Sequence, residues 1–152
     1  MIRVQAQDFD AGAEITAMRA RIAEAGADTG GLCSFIGVVR AGKGDDKITA
    51  MTLEHYPGMT EKELARIEAE ARDRWPLDDV LIIHRTGSLV PGDQIVLVLT
   101  ASAHRKAAIE ACEFLIDWLK TQAPFWKSEE SAGEARWVAA RATDDAAAAK
   151  WD

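Results

Sequence analysis

Apolar residues along the chain keep two rhythms, one of strands and one of helices. Short runs rich in β-branched and apolar residues alternate with longer stretches where apolar residues return every three or four positions. Ile2 to Ala6 reads as a short strand. Ile15, Met18 and Ile22 follow at helical spacing, and Gly26 stands where such a helix stops. Leu32 to Arg40 is strand-like, Ala41 to Lys47 is a polar loop with glycines, and Ile48 to His55 is a further strand candidate. Thr60 and Glu63 have the spacing of a capping box, with Met59 and Leu64 placed as a hydrophobic staple. The helix they open carries Leu64, Ile67, Ala71 and Trp75 on one stripe and stops at Pro76.

Two apolar strands are predicted next, Val80 to Thr86 and Gln94 to Ala101, joined across a Pro91-Gly92-Asp93 turn. Ser102 is placed as the N-cap of a long helix to about Gln122, with Ala108, Ala111, Cys112, Leu115, Ile116 and Leu119 among its apolar positions. Pro124 closes it. Phe125 to Lys127 and Arg136 to Ala139 read as short strands around a Gly133 turn, and the Ala-rich tail from Thr143 as a terminal helix. Helices and strands are mixed without repeats or linkers. The expectation is an α+β or α/β fold in one domain spanning residues 1–152.

Composition narrows the function. At 152 residues, 48% hydrophobic and 28% charged, the chain has the balance of an ordinary globular domain rather than a disordered one. Its 18 basic and 25 acidic residues give a net charge of −7, which argues against a sequence-independent nucleic-acid binder. An anionic ligand must therefore be held by a local basic pocket. Cys33 and Cys112 form no C-x-x-C pair and read as small buried hydrophobes. The first residues lack the pattern of a secretory signal and no run is long enough to span a membrane, so a cytoplasmic protein is expected. His55, His84 and His104 are too scattered to suggest a metal site, and no nucleophile elbow, P-loop or dinucleotide fingerprint is present.

What remains is a set of basic residues at element boundaries. Arg40 ends a strand, and His104 and Arg105 open the long helix, whose free N–H groups and dipole suit a phosphate. Lys120 lies in the last turn of that helix, and Lys127 follows Pro124. On spacing alone each is equally a solvated residue: His104 and Arg105 in a first turn, Lys120 favoured by the helix dipole, Lys127 on a strand face opposite Trp126. Glu129 and Glu130 read as surface charge. His84 and Arg85 end an apolar strand, where a buried, hydrogen-bonded histidine or a rim position is expected. Glu54 and His55 point to opposite strand faces and cannot easily act together.

Six segments, taken together and in order, resemble a known family. They are Phe35-Ile36-Gly37-Val38-Val39-Arg40, Leu53-Glu54-His55-Tyr56-Pro57-Gly58-Met59, His84-Arg85-Thr86-Gly87-Ser88-Leu89 with Gly92-Asp93, Ser102-Ala103-His104-Arg105, Ile116-Asp117-Trp118-Leu119-Lys120 and Pro124-Phe125-Trp126-Lys127-Ser128-Glu129. The chain resembles the MoaE family, the large catalytic subunits of molybdopterin synthases. The resemblance implies an α/β hammerhead fold with an added antiparallel β subdomain. It also implies sulfur transfer from the C-terminal Gly-Gly thiocarboxylate of a small ubiquitin-like carrier to cyclic pyranopterin monophosphate, building a dithiolene in molybdenum cofactor biosynthesis. No metal or cofactor of its own is implied. The large subunit is expected to form a homodimer that takes one carrier at each end, a heterotetramer.

Carried over by motif, Lys120 and Lys127 are the catalytic lysines. Val38, Val39, Arg40, His104, Arg105, Ser128 and Glu129 are the substrate-binding set. Two positions depart from the family's pattern: Ser128 where a basic residue is expected, and Ile109 where a phenylalanine is, the latter read as a change of core packing. The chemistry suits these residue types, since a thiocarboxylate, a cyclic phosphate and a developing oxyanion are all negative.

One inference is geometric. His104 and Lys120 are 16 residues apart on one helix, ~24 Å by helical rise, so one small ligand cannot touch both. The expectation is a shared site, with His104, Arg105 and Arg40 of one protomer completing the pocket that holds Lys120 and Lys127 of the other. The carrier's tail is expected to enter beside Phe125 and Trp126. Two other readings compete: a non-catalytic module that docks the carrier, and a regulatory domain that binds a phosphorylated metabolite at the helix N-terminus.

Overall fold

The computed structural model of the protein describes residues 1–131, 133–139 and 141–152. Among these residues, eight strands form two four-stranded sheets. The first has the order β1(Ile2–Gln5), β4(Leu77–Arg85), β6(Gln94–Ser102), β2(Gly31–Val38), with β1 parallel to β4 and the other pairs antiparallel. The second, wholly antiparallel, has the order β5(Gly87–Leu89), β3(Ala50–His55), β7(Phe125–Ser131), β8(Glu134–Val138). Four α-helices accompany them among the described residues: α1(Ala11–Glu24), α2(Met59–Arg74), α3(Arg105–Thr121) and α4(Ala142–Ala149). This is the α+β class, with the second sheet as the added antiparallel subdomain.

Position in the first sheet explains the strand patterns. β4 and β6 are central and covered on both faces, so each carries an unbroken apolar run, Val80 to Ile83 and Leu97 to Leu99. Leu81, Ile83, Leu97 and Leu99 pack under Met18 and Ile22 of α1. Val80, Ile82 and Val98 pack on the other face against Leu64 and Ile67 of α2 and Leu115 of α3. β2 is an edge strand covered on one face only, and its exposure alternates residue by residue. Cys33 and Phe35 turn inward, while Leu32, Ile36 and Val38 are exposed.

Helix ends show where local signals misled. Ser102 does not cap α3. It is the last residue of β6, fully buried, and its hydroxyl donates to the Pro76 carbonyl at 2.7 Å. His104 takes the N-cap position, with no side-chain cap bond. The Thr60–Glu63 capping box is also overturned. The N-cap of α2 is Gly58, whose N–H donates to the Glu61 carboxylate at 2.6 Å. Thr60 instead accepts from the Tyr56 N–H and donates to the Pro124 carbonyl, tying the start of α2 to the start of β7. Met59 is exposed, so it forms no staple.

The last helix is anchored by its C-terminal flank. Trp151 packs edge-on against Trp75 and Phe114 at 5.6 Å each, and its Nε1–H donates to Asp117 at 2.7 Å. Lys150 pairs with Glu113 of α3.

Candidate active site

α3 runs alongside β2 in the same direction. At one end Gly30 donates its N–H to the Ser102 carbonyl at 3.0 Å and lies so close to the Ala103 backbone that a Cβ there would overlap the Ala103 carbonyl oxygen. At the other end, the tip of β2 and the last turn of α3 face the second sheet across a cavity of ≈ 900 Å³. That size lies within the range of small-molecule sites.

The cavity has apolar walls and a basic lining. Phe35 and Ile36 come from β2, Ile116 and Leu119 from α3, and Met51, Leu53 and Phe125 from β3 and β7. Five cationic side chains reach it: Arg40, Lys43, Lys120, Lys127 and Arg141. Two carboxylates do so, Glu129 and Asp144. The lining is thus net positive in a chain of net charge −7, the local basic pocket that an anionic ligand requires.

Register fixes which side chains of β7 reach the cavity. Lys127 sits opposite Leu53 on one side and Val138 on the other, all three lining the cavity, and Glu129 follows on the same face. Lys127 Nζ lies 3.6 Å from Glu129 Oε1, an ion pair that holds the lysine along the strand. Ser128 belongs to the opposite face, across from Thr52 and Trp137, and lies outside the cavity lining. Trp126 shares that outer face, edge-on to Tyr56 at 4.3 Å. Of the pair expected at the tail's entry, only Phe125 lines the cavity.

The other sequence-derived candidates divide. Val38 and Arg40 line the cavity with both lysines of the same chain. Arg40, expected beside a second protomer's lysines, lines the cavity of its own chain: the turn after β2 brings it to the end of α3 that carries Lys120. Val39 is buried instead, packed with Ile48, Met51, Leu53 and Leu89. Its backbone bonds Asp93 and Gly92 and holds the turn that presents Arg40. His104 and Arg105 are exposed at the far end of α3 and do not reach this chain's cavity. Ile109 is 53% exposed, so its departure from the family's pattern is a surface change and not core packing.

Sequence reasoning missed Lys43 and Arg141. Lys43 sits in a loop and Arg141 precedes α4, and only the packing of the second sheet and α4 brings them to the cavity. Among the described residues, no group of three His, Cys, Asp or Glu side chains is placed to hold a metal. Among the same residues, no helix is long and apolar enough to cross a membrane.

Comparison with known proteins gives concordant findings. Residues 4–122 match the family described as MoaE protein. The chain is 56% identical over 150 residues to the molybdopterin synthase catalytic subunit of Ralstonia nicotianae, covering 99% of this chain and 83% of that protein. It is similar to the solved molybdopterin biosynthesis MoaE protein of Burkholderia ambifaria, with a TM-score of 0.82, 53% identity and coverage of 99% and 97%. The fold also matches a Helicobacter pylori structure described as a complex of subunits 1 and 2 of molybdopterin-converting factor. There the TM-score is 0.73 at 20% identity, covering 90% of this chain and 89% of that one.

Proposed function

The chain belongs to the MoaE family of molybdopterin synthase catalytic subunits, and on that premise we propose that it transfers sulfur from a thiocarboxylated carrier to cyclic pyranopterin monophosphate. The observation that carries this reading is the convergence of Arg40, Lys120 and Lys127 on one apolar-walled cavity. Both reactants are anions, and once sulfur has bonded to the pterin, water adds to the carrier's terminal carbonyl: negative charge grows on that oxygen, and its collapse expels the pterin-bound sulfur as a thiolate and leaves the carrier as a carboxylate. Fixed ammonium groups in a partly desolvated cavity stabilise that charge without reorganising. In this reading Lys120 serves the carrier's carbonyl and Lys127 the pterin, while Arg40 holds the phosphate. The cavity's position between the two sheets supports reading residues 1–152 as one catalytic domain. The pairing of two subunits in the Helicobacter pylori complex supports a carrier that docks on this chain.

The geometry also supports a site shared between two copies. β2 is a free edge with exposed Leu32, Ile36 and Val38. From Gly31 to Val38 it spans ~23 Å, close to the ~24 Å from His104 to Lys120 along α3. If two copies pair their β2 edges antiparallel about a central two-fold axis, each chain's His104 and Arg105 fall beside the other's Val38, Arg40 and Lys120. Dimerisation then completes the anion site.

Reconstitution tests the reading. The protein, a thiocarboxylated Gly-Gly carrier and cyclic pyranopterin monophosphate are mixed and assayed for the dithiolene product, with Lys120→Ala in parallel. Product from the wild type and at least ~100-fold less from the variant is expected. A stable carrier complex without product would establish the docking-module reading instead. Binding of phosphorylated metabolites without any carrier complex would favour the regulatory domain.

A further inference from the structure

One side chain of the cavity is used by none of the roles above. His84 ends the buried stretch of β4, is 7% exposed and lines the cavity. Its ring stacks on Phe125 with centroids 3.7 Å apart and planes 15° from parallel. Its Nδ1 lies 2.8 Å from the Arg85 carbonyl oxygen. A carbonyl only accepts, so Nδ1 carries the ring's hydrogen and Nε2 keeps a lone pair. Burial pushes the imidazole down to about 4; the Arg85 carbonyl opposes this shift and nearby His55 adds to it. The ring is therefore neutral at neutral pH.

His84 lines the cavity, and no bond to its Nε2 is recorded among the described residues. Among the described residues the Arg85 carbonyl is the ring's hydrogen-bond partner. Among the described residues, the sealed and unpartnered side-chain atoms are Arg3 Nε, Arg21 Nη2 and Trp118 Nε1, and His84 Nε2 is not one of them. The cavity is the remaining place for Nε2 to find a donor.

We propose that His84 Nε2 accepts a hydrogen bond from an N–H of the ligand's heteroaromatic ring and so fixes which edge of that ring meets the cavity floor. The cavity's cations offer donors only, and they serve the anionic end of a ligand. Of the two lining carboxylates, Glu129 is already paired with Lys127, and Asp144 comes from α4 rather than from the buried end of β4. A neutral lone pair at a buried floor selects an N–H and disfavours an analogue that presents an oxygen there, because the acceptor would be left unpaired. For the ligand's identity this inference rests on the sulfur-transfer reading, since a pterin carries ring N–H and amino groups.

The test uses the full chain with 15N-labelled histidine. Cyclic pyranopterin monophosphate is titrated in, with inorganic phosphate as the control. The expected result is an upfield shift of the His84 Nε2 resonance with the pterin and none with phosphate. His84→Phe keeps a stacking ring but lacks the acceptor, and is expected to bind the pterin about 3- to 10-fold more weakly with phosphate binding unchanged. His84→Gln, whose side-chain oxygen restores an acceptor, is expected to recover part of that loss. An unmoved Nε2 resonance in pterin-saturated wild type overturns the inference alone, and decides the matter even if His84→Phe fails to fold. Pterin binding by a folded His84→Phe equal to wild type also overturns it alone. A wild type that does not bind the pterin overturns the sulfur-transfer reading and this inference together.

Discussion

Burial of His84 makes the protein's stability depend on acid in a calculable way. In the unfolded chain the imidazole titrates near its ordinary value of 6.5; in the fold it is held down to about 4. The folded group's affinity for protons is the lower one, so the unfolded state binds more protons between these values. The stabilisation is whole above ~6.5 and is lost as pH falls toward 4. The full gap corresponds to about 3 kcal/mol, of which about 2 kcal/mol is gone by pH 5. That is a large part of the ~5–15 kcal/mol stability of a typical domain. Asp8, whose carboxyl the Gln94 amide holds below its ordinary 3.8, titrates beneath this window. The assay is urea unfolding followed by tryptophan fluorescence at pH 7.5 and pH 5.0, for wild type and His84→Phe. The wild type is expected to lose about 2 kcal/mol more than the variant between the two pH values. Equal losses would refute the reasoning, because a histidine that charges freely in the fold contributes no such difference.

Two further outcomes follow from packing. Gly30→Ala places a Cβ on the Ala103 carbonyl, where β2 and α3 begin together, and is expected to cost about 3 kcal/mol in denaturant unfolding; a loss under ~0.5 kcal/mol would contradict that close approach. Trp151→Phe keeps an aromatic ring against Trp75 and Phe114 but removes the bond to Asp117, and is expected to cost about 1 kcal/mol. Faster amide exchange across α4, which borders the cavity through Arg141 and Asp144, should accompany it.

The long elements were legible because their periods are unambiguous. Met18 and Ile22 of α1, the stripe of α2 and the apolar runs of β4 and β6 all occupy the buried positions that pattern assigns. Short-range signals were weaker. Ser102 looks like a cap, but β6 continues through it, and its hydroxyl is spent on Pro76. Gly58 hides a real N-terminal stop because it has no side chain to announce one. β5, three residues long, is a strand only because β3 pairs with it. His84 is buried and hydrogen-bonded, one of the two alternatives its position allowed, and it also lines the cavity.

At the site, no local pattern brings Arg40, Lys120 and Lys127 together. The return of β7 over the end of α3 does so, and motif resemblance marked these residues where spacing alone did not. His104 and Lys120 lie at opposite ends of α3, as helical rise requires, and Arg40 lines the cavity of its own chain because β2 runs along α3 in the same direction.

The most direct measurement is complementation between two inactive variants, Lys120→Ala and His104→Ala/Arg105→Ala. Each is assayed alone for dithiolene formation, then after mixing, dissociation and reassociation. If the lysines of one chain act with the His104 and Arg105 of its partner, half of the re-formed dimers are mixed and each holds one intact site. Activity then returns to about a quarter of wild type. A mixture no more active than its components would contradict the shared site. Full activity of His104→Ala/Arg105→Ala alone would show that the cavity of a single chain suffices.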